Sequence, residues 1–140
     1  MSIPWAVGQE PQTQAIAQND DVVRARQQVR AFAQQCKLSL VDQTKFITAA
    51  SELARNTLVY GGGGAMRAGL VEREGRRGVA AVFEDSGPGI ADTELALTDG
   101  WTSGSGLGLG LSGARRLVDE FFLDTEEGQG TTVSIVKWAR

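Results

Sequence analysis

Glu52 and Asn56 stand four residues apart in a segment of strongly helical pattern. At that spacing an acid and a carboxamide lie one helical turn apart and can face one cleft. The carboxamide offers a hard oxygen of the kind that holds magnesium beside phosphate oxygens, and the carboxylate can orient a hydroxyl and take its proton. A second acid follows an apolar run in Asp85-Ser86-Gly87-Pro88-Gly89-Ile90, where a lone carboxylate can accept a hydrogen bond from the amino group of a base. A third segment, Gly104-Ser105-Gly106-Leu107-Gly108-Leu109-Gly110-Leu111, opens an amphipathic stretch. Backbone N–H groups at such a helix start can cradle phosphates. These types and spacings together suit an ATP site.

Each segment alone is weak. A Glu and an Asn one turn apart are usually an exposed polar pair, and Asp with Gly often marks no more than a turn. Gly108-Leu109-Gly110-Leu111-Ser112-Gly113 also matches the dinucleotide pattern G-x-G-x-x-G. That pattern should follow a buried strand and begin a βαβ unit, whereas here it follows a polar loop and leads to a closing hairpin. Neither the G-x-x-x-x-G-K-[ST] loop nor the signatures of ordinary protein kinases occur.

The elements that must position these residues read as follows. Residues 1–12 form a flexible leader, and residues 13–18 alternate well enough for a short strand. Asn19-Asp20-Asp21 caps a helix running to about Lys37. Ser39 or Asp42 opens a second helix, whose apolar stripe is Phe46, Ile47, Ala50, Leu53 and Leu58, and residues 61–64, all glycine, end it. That run reads as a hinge rather than a ligand contact. Residues 65–74 and 79–84 are strands joined by a turn at 75–78, with Asp85 at the end of the second. Residues 91–105 form a short irregular lid anchored by Leu95, Leu97 and Trp101, and Trp101 either fastens the lid or meets a partner. Residues 107–121 return to helical spacing, with Leu111, Ala114, Leu117, Val118 and Phe121 inward, before strands at 122–126 and 131–138.

With 140 residues, 41% apolar and 22% charged, the chain fits one folded domain over residues 13–140. A net charge of −3 and a pI near 5.0 offer no basic field for nucleic acid. No apolar run approaches the roughly 18 residues of a membrane span. The single Cys36 suits a buried position in a reducing, cytoplasmic compartment. The chain has no histidine, which removes Ser-His-Asp catalysis, histidine metal ligands and a phosphohistidine of its own.

In this order the three segments resemble the N, G1 and G2 boxes of the Bergerat-fold, or GHKL, superfamily of gyrase-type ATPases, heat-shock chaperones, histidine kinases and MutL proteins. Within it the chain is most similar to the small anti-sigma-factor serine/threonine kinases of the RsbT type. Ala50-Ser51-Glu52-Leu53-Ala54-Arg55-Asn56, Glu84-Asp85-Ser86-Gly87-Pro88-Gly89-Ile90, Arg116-Leu117-Val118-Asp119-Glu120-Phe121 and Lys137-Trp138-Ala139-Arg140 carry that narrower likeness.

The resemblance implies an α/β (α+β) two-layer sandwich, a mixed and mostly antiparallel sheet with about three helices on one face and ATP between the layers. It implies that Asp85 accepts the adenine amino group, with Thr131 supporting that end, and that Gly87 and Gly89 admit base and ribose. It further implies Asn56 as the Mg2+ ligand, Glu52 as the catalytic base, and Gly104, Ser105, Gly106, Leu107, Gly108 and Gly110 around the phosphates. The implied substrates are STAS-domain anti-sigma antagonists or stressosome scaffold proteins, with a PP2C-type serine phosphatase as a further candidate partner. Two other readings stay open. One is a non-catalytic ATP-binding switch, against which the intact Glu52 and Asn56 speak. The other is a detached histidine-kinase-like catalytic domain, against which the N-terminal strand and helix and the lack of upstream dimerisation helices speak. Three departures from the family stand out: the leader, the leucines between the glycines of the third segment, and the absence of Lys or Arg from residues 92–105. The last leaves the lid without a basic sensor of the γ-phosphate.

Overall fold

A computed structural model of the chain describes residues 2–89 and 110–140. Among the described residues five strands form one sheet in the order β1-β2-β3-β5-β4, and the helices lie on one face. The strands are β1 (Gln12–Ile16), β2 (Gly64–Arg73), β3 (Arg76–Asp85), β4 (Glu120–Glu126) and β5 (Gly130–Trp138). The helices among the described residues are α1 (Asn19–Gln35), α2 (Leu40–Val59) and α3 (Gly110–Arg116).

Alternation along the strands divides the molecule into two faces. Met66, Ala68 and Leu70 of β2, Val79, Ala81 and Phe83 of β3, and Val133 and Ile135 of β5 point to the helices. There they meet Val22, Ala25, Val29 and Ala33 of α1 and Phe46, Ala49, Ala50 and Leu53 of α2, all buried. Burial of a large side chain of this kind contributes about 1.5–3 kcal/mol. The opposite parity puts Val71, Ala80, Val136 and Trp138 in a smaller cluster on the other face.

Among the described residues every strand pairing is antiparallel, where a mixed, mostly antiparallel sheet was expected. The chain passes from β3 into β4, which runs parallel to it, but β5 inserts between them. The two parallel-running strands therefore never pair.

The expected loose leader is tied down in part. Trp5 bridges Val71, Ala6 N–H donates to the Leu70 carbonyl, and the Pro4 carbonyl accepts from Glu72 N–H. This stretch extends the line of β1 along the same edge of β2 and lays Ile3 and Trp5 on the smaller apolar cluster.

Two further boundaries shift. The β2–β3 turn is Glu74-Gly75 rather than 75–78, because those two residues have φ of 53° and 79° and so make the tight hairpin link. Helix α3 ends at Arg116, not at residue 121. Leu117 and Val118 still pack on the core from the turn after it, while Phe121 and Leu123 reach the core from β4 by strand alternation. An apolar stripe read at helical spacing was thus three kinds of local structure serving one core.

At the caps, Ser39 Oγ accepts from Asp42 N–H at 3.1 Å, which decides between the two candidates for α2. At α1, Asp21 accepts from the N–H groups of Ala17 and Gln18 at 2.9 and 3.2 Å. The Ala17 bond, with the Arg24 guanidinium and the Gln18 bond, holds its carboxyl below the usual carboxylate range. Cys36 is buried, and burial raises its thiol pKa. No helix among the described residues is long and apolar enough to cross a membrane.

Candidate nucleotide site

Helix α2 carries the first two candidates because its inner face is built around them. Phe46, Ala49, Ala50, Leu53, Ala54 and Thr57 are buried along it, and Glu52 is buried among them with 7% exposure. A carboxylate at that depth needs a donor. It has one in the N–H of Gly110, the first residue of α3, at 3.1 Å from Glu52 Oε1. Gly110 sits at φ 70°, a conformation that suits glycine and places its N–H at the start of the helix. Asn56 lies one turn along from Glu52 and is half-buried. Its carbonyl accepts from both Tyr60 N–H and Gly61 N–H, closing α2.

Asp85 ends β3 on the helix side of the sheet, since it shares parity with Phe83, Ala81 and Val79. Its Oδ1 accepts from Gly87 N–H at 2.9 Å, so the carboxylate is oriented by its own loop. Across the β3–β5 ladder its partner is Thr131, whose hydroxyl bonds that of Thr125 at 2.9 Å.

Glycine is needed here for space as well as for turns. A methyl on Gly87 would stand 2.7 Å from the Gly61 carbonyl oxygen, and one on Gly89 would meet the Glu126 carbonyl. The loop after β3 is further tied to the β4–β5 turn by Gly128 N–H donating to the Pro88 carbonyl at 2.6 Å. Two clefts of about 610 and 280 Å³ share Asp85 among their lining residues. The larger is walled by residues 61–64 with Glu84 and Ser86, the smaller by Thr125, Gly130 and Thr131, and Gln129 lines both. Both clefts are open to solvent, and among the described residues Glu52, Asn56 and Gly110 line neither.

The structure therefore brings Glu52 to Gly110, and Asp85 to Gly87 and Thr131. Gly104, Ser105, Gly106, Leu107 and Gly108, together with the lid and Trp101, lie outside the described residues. Residues 61–64, read from the sequence as a helix-end hinge, follow the close of α2 and line the larger cleft. Gln129 and Thr125 carried no sequence signal, because a polar residue in a hairpin needs no ligand to explain it. Among the described residues no group of three His, Cys, Asp or Glu side chains is placed to hold a metal ion. A cation beside Asn56 would draw its other ligands from phosphate and water, as magnesium commonly does.

Comparison with known proteins places the chain in a family. Residues 41–139 match the family of histidine kinase-, DNA gyrase B- and HSP90-like ATPases. The chain is 42% identical to the serine/threonine-protein kinase RsbT of Bacillus subtilis over 120 residues, 86% of this chain and 90% of that protein. It is 29% identical to the anti-sigma F factor of Clostridium novyi over 119 residues, 81% of this chain and 82% of that protein. Among solved structures it is similar to the RsbU and RsbW domains of a Mycobacterium tuberculosis protein, with a TM-score of 0.62 and 18% identity. That match covers 94% of this chain and 33% of the other, and it bears on the fold alone.

Proposed function

We propose that this chain, which belongs to the histidine kinase-, DNA gyrase B- and HSP90-like ATPase family and is a serine/threonine protein kinase of the partner-switching kind, acts in the cytoplasm on STAS-domain proteins. Its substrates are anti-sigma antagonists or stressosome scaffolds, and a PP2C-type serine phosphatase is a second partner that it activates by binding.

Bound ATP with Mg2+ supplies the γ-phosphoryl group and a cation that offsets its charge. Asp85 accepts the hydrogen bond of the adenine amino group, and Thr131 supports the same end. Gly87 and Gly89 leave the base and ribose room against the backbone. Asn56 would hold the magnesium through its carboxamide oxygen. Gly104, Ser105, Gly106, Leu107, Gly108 and Gly110 surround the phosphates with backbone N–H groups. Glu52 orients the serine or threonine hydroxyl of the protein substrate and takes its proton as the oxygen bonds to phosphorus and ADP leaves. Because such transfer is largely dissociative, positioning and charge neutralisation contribute more than deprotonation.

The observation that most supports this reading is the 3.1 Å bond between Glu52 and Gly110, which joins the acid of the first segment to the end of the third. A carboxylate can accept several hydrogen bonds, so this one leaves it capacity for a substrate hydroxyl. The test is transfer from radiolabelled ATP to a purified STAS-domain protein with and without magnesium. Label on a serine or threonine that appears only with magnesium is the expected result. Tight ATP binding without any transfer would instead favour the non-catalytic switch.

A further inference from the structure

We infer that Gly61 is a positioning residue for the nucleotide base, setting the Asp85 carboxylate through the side chain that it lacks; this rests on the reading of Asp85 as the acceptor of the adenine amino group. In the run of glycines at 61–64, Gly62 and Gly63 have φ of 76° and 107°, so backbone conformation alone accounts for them. Gly61 does not share that conformation. Its glycine is explained by space.

A methyl on Gly61 would stand 2.5 Å from Asp85 Oδ2 and 2.6 Å from Asp85 Cβ, inside the 3.0 Å that real side chains essentially never breach. Neither partner can give way cheaply. Gly61 is buried, and its N–H is fixed to the Asn56 carbonyl at 3.0 Å at the end of α2. Asp85 is paired on both sides, to Gly64 in β2 and to Thr131 in β5. A methyl on Gly130 would stand 3.0 Å from the Asp85 carbonyl carbon, so the backbone of Asp85 is enclosed from that side as well. Because Asp85 Cβ itself is too close, turning the carboxylate does not make room. The end of β3 and the end of α2 must separate, which moves the Asp85 carboxylate, with the Gly87 loop that it accepts from, away from its place beside Gly61. A recognition group has to sit within about 0.5 Å of its productive place, and relieving contacts of 2.4 to 2.6 Å calls for a shift of that order. The bond from Gly61 to Asn56 adds a consequence: the helix that presents the magnesium ligand also sets the acid that reads the base.

The test compares ATP with purine riboside triphosphate, which lacks the amino group, by calorimetry on the full chain. Wild type should prefer ATP. Gly61→Ala should lose about tenfold or more in ATP affinity while binding of the analogue changes by less than about threefold, so the preference collapses. Equal weakening of both nucleotides would mark Gly61 as a support of the fold alone and overturn the inference, as would unchanged ATP binding. A wild type without any preference would instead refute the role of Asp85 itself. If Gly61→Ala does not fold, Asp85→Glu pushes the carboxylate one methylene further into the same space. It should lose the preference despite keeping the charge, and a retained preference overturns the inference.

Discussion

At the Asp85 end of the site, backbone from the close of α2, the end of β3, the loop after it and the start of β5 converge on one carboxylate, with Gly61, Gly87 and Gly130 at the contacts. At the Glu52 end, a hydrogen bond of 3.1 Å joins two positions 58 residues apart. The first end is held by close approach of sheet backbone and is suited to reading a fixed shape. The second is a polar pair between two helices, where charge rather than steric fit decides what the side chain does. Substitutions at the first end should therefore act on nucleotide binding, and substitutions at the second on transfer.

Asp85→Asn offers the strongest way to break this contrast. The amide presents a donor where adenine also donates, and a charge-assisted bond is lost, so ATP affinity should fall by about 10²-fold or more. Calorimetry that finds ATP bound as in wild type would remove the adenine assignment. Asn56→Ala should have a smaller effect of a different kind. The magnesium concentration needed for half-maximal transfer should rise about tenfold while metal-free nucleotide still binds. A magnesium titration that superimposes on wild type would exclude Asn56 as a ligand.

The smallest effect is expected at Asp21, which lies outside both ends and serves as a control. Its carboxyl titrates below the usual range in the folded chain because Ala17 N–H, Arg24 and Gln18 N–H favour its charge. The stability it contributes is thus present above the ordinary carboxylate pKa and is lost as pH falls through the folded value. Asp21→Asn should lower the melting temperature at neutral pH and converge with wild type in acid, with ATP affinity unchanged. A melting difference that persists at low pH would show that the charge is not its cause.

Much of this molecule was legible before its structure. The Ser39 cap, the stripe of α2 and the alternation of β3 follow from local rules and place Glu52, Asn56 and Asp85 on the correct elements, whereas α1 is capped by Gln18, just before the expected cluster at Asn19-Asp20-Asp21. What could not be read depends on what the chain meets far away. Nothing in four consecutive glycines distinguishes the two that need positive φ from Gly61, whose constraint lies in Asp85 across the fold. The stripe through Leu117, Val118 and Phe121 fits a helix because a core accepts apolar side chains from a turn or a strand equally well. The pinning of Trp5 depends on a bare edge of β2 and an apolar patch on the outer face, neither of which has a local signature.

The measurement closest to the central claim is single-turnover phosphotransfer by Glu52→Gln, run beside ATP binding on the same protein. The substitution keeps the shape and leaves a carbonyl oxygen to accept from Gly110 N–H, so only charge and basicity change. ATP affinity should stay close to wild type, and transfer to a STAS-domain protein should slow by about 10²-fold or more. Transfer at a near-normal rate would contradict that claim and leave Glu52 as a buried partner of Gly110 with no part in the chemistry.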